Sequence, residues 1–156
     1  MPRSTDLRAG LRPFQRILIA VDGGAPAERA AFLGCSLAEA LGGEVCLFHA
    51  LERVPTAIVT DPDPEAEPKP IHGAEIFDAL LAKLPQHVQI SNLSHVGEAA
   101  KSIEWAIETW SPDLLVIGSH GRDGVARAML GSVAEATMRH SPCPVLVVKS
   151  WIVASA

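Results

Sequence analysis

The chain has 156 residues, 48% hydrophobic and 20% charged, which suits one domain whose core needs no disulfide or structural metal. Thirteen basic residues against eighteen acidic ones give a net charge of −5. Without a basic cluster, that balance argues against a nucleic-acid surface. No apolar run approaches the roughly 18 residues of a membrane span, and three scattered cysteines suit a reducing compartment, so a cytoplasmic protein is expected.

Residues 1–13 carry arginines without a continuous apolar stretch; they read as a flexible leader rather than a secretory signal. "RILIAVD" (Arg16–Asp22) is the first short run rich in branched residues, of the kind found in strands buried on both faces of a parallel sheet. Ala30, Gly34, Leu37, Ala38 and Leu41 follow at helical spacing, with Gly42-Gly43 as the stop. "EVCLFHAL" (Glu44–Leu51) is a second buried strand.

The segment 52–70 is acidic and proline-rich, too broken for a packed element, and reads as a long lid-like loop. A second helical stripe runs through Ile76, Phe77, Leu80, Leu81 and Leu84 and ends at Pro85. "HVQISNL" (His87–Leu93) alternates apolar and polar residues, as an edge strand with one wet face does. Ala99, Ile103, Ala106, Ile107 and Trp110 form a third helix. "DLLVIG" (Asp113–Gly118) is a buried strand, Val133, Ala136, Thr137 and His140 mark a fourth helix, and "PVLVV" (Pro144–Val148) is the last strand. Regular alternation of strand and helix predicts a single doubly wound α/β domain, a five-stranded parallel sheet with helices on both faces.

The chemistry concentrates in "GSHGRDGVARAMLGS" (Gly118–Ser132), which joins the fourth strand to the fourth helix. Ligands of open parallel sheets bind beyond the carboxyl ends of the strands. A helix N-terminus there offers unpaired N–H groups and partial positive charge to a phosphate. Gly121 and Gly131 place no side chain in its way, and His120, Arg122 and Arg127 add positive charge. The same residues allow a second reading: Ser132-Val-Ala-Glu135 has the spacing of a capping box, which closes a helix end without any ligand. His140 and Cys143 lack the second ligand pair of a zinc site, so no metal is expected there.

The spacing Gly118-x2-Gly121-x9-Gly131-Ser132 resembles the nucleotide-binding signature of the universal stress protein family, in its ATP-binding branch. "RILIAVDG" is similar to that family's opening strand and "GSVAEATMRHSPCPVLVV" to its closing helix and strand, so the likeness runs from about Phe14 to Lys149. The resemblance implies strand order 3-2-1-4-5 in a fold of the adenine nucleotide alpha hydrolase type. It implies a regulatory stress-response protein, not an enzyme, that binds ATP, ADP or AMP, with Mg²⁺ arriving on the phosphates. Ala20, Val21, Asp22 and Ala50 would border adenosine; Gly118, His120, Gly121, Gly131, Ser132 and Val133 would surround ribose and phosphates. For Asp22 an Asx turn at the first helix is the competing role.

The family often has Gly-Ser after this aspartate, where this chain has Gly23-Gly24, and the acidic 52–70 loop lacks a recognisable family pattern; it could shield the base or repel a triphosphate, which would favour AMP or ADP over ATP. The resemblance also implies a homodimer through the exposed last strand, with Val145, Leu146, Val147, Val148 and Trp151 at the interface and 151–156 as a short tail. A nucleotide-free dimerisation module and a slow ATP-hydrolysing enzyme are the alternatives. "DGGAPA" lacks the serines and later aspartate of the hydrolase loop, and no Walker lysine motif is present. The third strand ends near Asn92–Ser94 without the aspartate that a phospho-acceptor receiver domain needs.

Overall fold

In a computed structural model of the chain, residues 14–52, 73–121 and 129–149 are described. The elements run β1 (Arg16–Ala20), α1 (Ala25–Leu41), β2 (Glu44–Leu51), α2 (Gly73–Leu81), β3 (Gln89–Val96), α3 (Ala99–Trp110), β4 (Leu114–Gly118), α4 (Ser132–His140) and β5 (Val145–Val148). All strand pairs are parallel, in the order β3-β2-β1-β4-β5. The expected leader 1–13, all but the first residue of the 52–70 loop, and the tail 151–156 lie outside the described residues.

Alternate residues of the central strands feed two separate cores. Ile17 and Ile19 of β1, Val45 and Leu47 of β2, and Val116 of β4 pack beneath α1 and α2. Leu18, Cys46, Phe48, Leu115 and Ile117 pack on the other face, beneath α3 and α4. This two-sided burial is why β1, β2 and β4 read as continuous apolar runs. Gly42 ends α1 at φ 67°, and its N–H donates to Ala38 O, a left-handed stop that glycine adopts without a Cβ penalty. Below the sheet, Arg16 pairs with Glu44, donates to Trp110 O at 2.6 Å and stacks on the Trp110 ring, tying β1, β2 and α3 together.

Several boundaries differ from the sequence reading, β4 and β5 by a start one residue later, at Leu114 and Val145. β1 stops at Ala20, because Asp22 is already turning the chain. α2 stops at Leu81; Leu84 is buried all the same, through a turn in which its N–H reaches Leu80 O. β3 starts at Gln89 and runs to Val96, matching all eight residues of β2. It is an edge strand, but it has no single wet face: Ile90 packs toward α1 and α2, Leu93 toward α3, and exposed residues lie on both sides. No helix among the described residues is long and apolar enough to cross a membrane.

Candidate functional site

The carboxyl ends of β1 and β4, adjacent in the sheet, bring two distant turns together. After β1, the Gly24 N–H donates to Asp22 Oδ1 at 2.8 Å, closing an Asx turn in which Gly23 takes φ 84°. The expected turn is present, yet it does not cap α1: the N-cap is Gly24, with no side-chain hydrogen bond. The other carboxylate oxygen, Oδ2, faces Gly121, 3.3 Å from where a Cβ there would stand. Two residues 99 positions apart thus share one gap, which a side chain at 121 would fill.

Val21 has its main chain committed. Its N–H donates to Phe48 O at 2.8 Å, and its carbonyl accepts from His49 Nδ1 at 2.7 Å, which fixes the proton of that imidazole on Nδ1. His49 was not singled out from sequence; it is the clamp that holds the β1 turn against β2. Ala20 and Ala50 are half-buried small residues on the α3 and α4 face. With half-buried Val133 they pack against the core on that face.

The loop after β4 is tied at its base. The buried Ser119 donates its N–H to Val148 O at 2.9 Å, and its carbonyl accepts from the Gly131 N–H at 2.7 Å. A Cβ on Gly131 would lie 3.0 Å from Ser119 O and 3.3 Å from His120 Cα, so the two ends of the loop meet backbone to backbone. Gly118 answers a different demand: a Cβ there would stand 2.9 Å from Pro26 Cβ and 3.2 Å from Ala27 N. Its lack of a side chain lets β4 approach the first turn of α1. Arg122 and Arg127 lie outside the described residues.

The capping box is absent. Gly131 is the N-cap of α4 and makes no side-chain cap, which leaves Ser132 in the first turn and exposed. Glu135 turns away along the helix to Arg139 at 2.9 Å. Among the described residues no side chain caps the first turn of α4, and Glu135 is the acidic residue in that turn. Beside it stands His120, whose Nδ1 is 3.0 Å from Ser119 Oγ. Its Nε2 is buried and has no hydrogen-bond partner among the described residues. Buried polar atoms normally have partners, which makes this nitrogen the polar atom of the loop to examine first. A separate cleft of about 320 Å³ lies between α1 and α2, lined by Gly23, Gly24, Ala27 and Ile76 among others. It excludes Asp22, Gly121 and Gly131, and its Glu28 is already paired with Lys83.

The model of the universal stress protein family matches residues 13–149. The chain belongs to that family. A universal stress protein of Thermus aquaticus, described as lying in the QAH/OAS sulfhydrylase 3′ region, is 32% identical over 136 residues, covering 87% of this chain and 99% of its own. Among solved structures, a universal stress protein in complex with cAMP has a TM-score of 0.61 at 24% identity, covering 88% of this chain and 98% of its own. A universal stress family protein of Arabidopsis thaliana with AMP bound has a TM-score of 0.63 at 17% identity, covering 88% and 92%. At these identities the two structures show the fold of this universal stress protein. The glycine spacing, the opening strand and the closing helix and strand carried that family's pattern in the sequence.

Proposed function

We propose that the chain is a regulatory protein that binds an adenine nucleotide across the carboxyl ends of β1 and β4. The observation that carries this reading is the first turn of α4, without a side-chain cap, beside His120 Nε2, which has no partner among the described residues, a corner suited to phosphate oxygens. The bound cAMP and AMP of the two family structures support it.

In this reading Gly121, Gly131 and Ser132 present the main chain to the phosphates and His120 donates or accepts at Nε2. Ala20, Ala50 and Val133 floor the base and ribose. Because the Val21 main chain is already bonded on both sides, it contributes contact area, and Asp22 Oδ2 is the polar group left for the adenosine end. Gly118 acts through α1 packing. Among the described residues no three His, Cys, Asp or Glu side chains gather into a metal site, so Mg²⁺ would travel with the phosphates. The nucleotide is a ligand whose binding shifts the loop between conformations that partners of a stress response distinguish, and no catalytic residue is assigned.

A homodimer through β5 belongs to the same proposal. Its Val145, Leu146 and Val147 are half-buried, and Val148 is buried; an uncharged apolar edge of this kind calls for a pairing strand. Trp151 lies outside the described residues.

Denaturing the purified protein and identifying the released nucleotide tests the reading, together with calorimetric titration by ATP, ADP, AMP and cAMP. Release of an adenine nucleotide or micromolar binding of one is expected. An empty supernatant with no heat at millimolar ligand would leave a nucleotide-free interaction module.

A further inference from the structure

The opposite edge of the sheet has its own pairing chemistry. β3 presents eight residues with no charge, no proline and no bulge in its register. Natural edge strands are usually blunted by one of those devices or covered by another segment; β3 has none of the three, and no described strand pairs beyond it. Ser91, Asn92, Ser94 and Val96 are exposed, Val96 by 43%.

The ladder fixes which main-chain groups are available. Gly97 N–H donates to Leu51 O at 3.0 Å, and alternate residues of a strand point their N–H and C=O the same way. The odd-numbered residues of β3 therefore face β2, while Ile90, Asn92, Ser94 and Val96 offer their main chains outward. Register with β2 also sets the faces. Ser91, Leu93 and His95 lie beside Cys46, Phe48 and Ala50, on the α3 side, and the even-numbered residues lie on the α1 and α2 side.

A second copy related by a two-fold axis normal to the sheet pairs β3 antiparallel and keeps like faces together. That condition allows only registers in which opposed residue numbers sum to an even value. With Leu93 on the axis, Ile90 lies opposite the partner's Val96 and Asn92 opposite the partner's Ser94. Every outward main chain then meets an outward main chain. Apolar meets apolar, amide meets hydroxyl, and no charge meets its own copy, which is the usual penalty of such symmetric pairing. Moving the register by two residues either way sets an apolar residue, Ile90 or Val96, against a polar one.

We propose that β3 is a self-association edge, pairing with the β3 of a second copy about Leu93. It is independent of the nucleotide and separate from the β5 edge; use of both edges would extend the sheet into an open row of subunits.

Sedimentation velocity of the full chain over a concentration series tests this. Asn92 and Ser94 are exposed, so N92K/S94K places lysine opposite lysine at the proposed interface while leaving the core and β5 intact. The largest species should fall to half its wild-type mass or less, and N92E/S94E should do the same. Mixing the lysine and glutamate proteins should restore the wild-type mass, since each lysine then faces a glutamate, an outcome that general destabilisation cannot produce. Wild-type protein that stays monomeric, variants with unchanged mass, or a mixture that fails to recombine would each overturn the proposal.

Discussion

Asp22 Oδ2 and Gly121 confront each other across the gap between β1 and β4, 3.3 Å separating the carboxylate oxygen from the place a Cβ at 121 would occupy. One turn thereby sets how much room the other leaves. An alanine at 121 needs a shift of a few tenths of an ångström, whereas a branched side chain fills the gap. Gly121→Val is expected to weaken ATP or AMP binding at least about tenfold, roughly 1.4 kcal/mol. Because Gly121 is exposed, its melting temperature should stay near that of the wild type. Calorimetric titration beside a thermal melt checks both halves, and wild-type affinity in this variant would remove the loop from the site.

Gly118 behaves in the opposite way. Its Cβ would press on Pro26 and Ala27 at 2.9–3.2 Å, where backbone as well as side chain must yield. Gly118→Ala should cost about 1–3 kcal/mol of stability, the usual range for overpacking. Urea unfolding measures it, and an unchanged midpoint would mean that the β4–α1 approach is looser than these distances indicate.

His120 separates binding from folding. Its Nε2 is buried without a partner among the described residues, a cost to the free protein that a ligand would relieve. His120→Ala should lower nucleotide affinity about tenfold or more, while relief of the buried Nε2 and loss of the Ser119 Oγ contact oppose each other and keep the change in unfolding free energy within about 1 kcal/mol. A variant that loses stability and keeps affinity would show the ring to be a packing element.

Ser132 tests the helix end. Since Gly131 is the N-cap and makes no side-chain cap, Ser132→Ala should leave stability within about 0.5 kcal/mol, where loss of a true capping box costs about 1 kcal/mol. The same change should weaken binding of a phosphorylated ligand relative to adenosine. Paired titrations with AMP and adenosine read that difference.

The buried thiols add a pH dependence. Burial pushes Cys35 from 9.0 up to about 11 and raises Cys46 as well. A thiol raised in the folded state stays protonated while its unfolded counterpart has begun to ionise. The unfolded chain then holds fewer protons, and stability falls as pH climbs from 9 toward 11. Below 9 both states are protonated and the effect vanishes. Native protein should react rapidly with a thiol reagent at the half-buried Cys143 and slowly at Cys35 and Cys46. Equal rates at all three would contradict the burial.

The central strands were legible because burial on both faces leaves a continuous apolar run, as in Leu18–Ile19 and Leu115–Val116, and such runs need no knowledge of their partners. Gly42 was legible as the stop of α1 for a local reason, the left-handed turn that follows a helix. β3 was harder to read: Ile90 and Leu93 serve opposite faces, so no period-two pattern could place its end at Val96. The capping box was misread because the spacing of Ser132 and Glu135 is a necessary condition only. Whether Glu135 folds back or reaches Arg139 depends on where the chain enters α4, and that entry is set by Gly131 bonding to Ser119.

By itself, then, the order of residues determined the alternation of strands and helices, the two-sided core and the position of the glycine loop at the head of α4, since all of these follow from local periodicity and turn chemistry. Only the tertiary structure decided what each glycine is for: Gly118 makes room for α1, Gly121 for the space beside Asp22, Gly131 for the carbonyl of Ser119. Identical residues acquire different roles because a missing side chain has meaning only through the atoms that the rest of the chain brings to within a bond length or two of it.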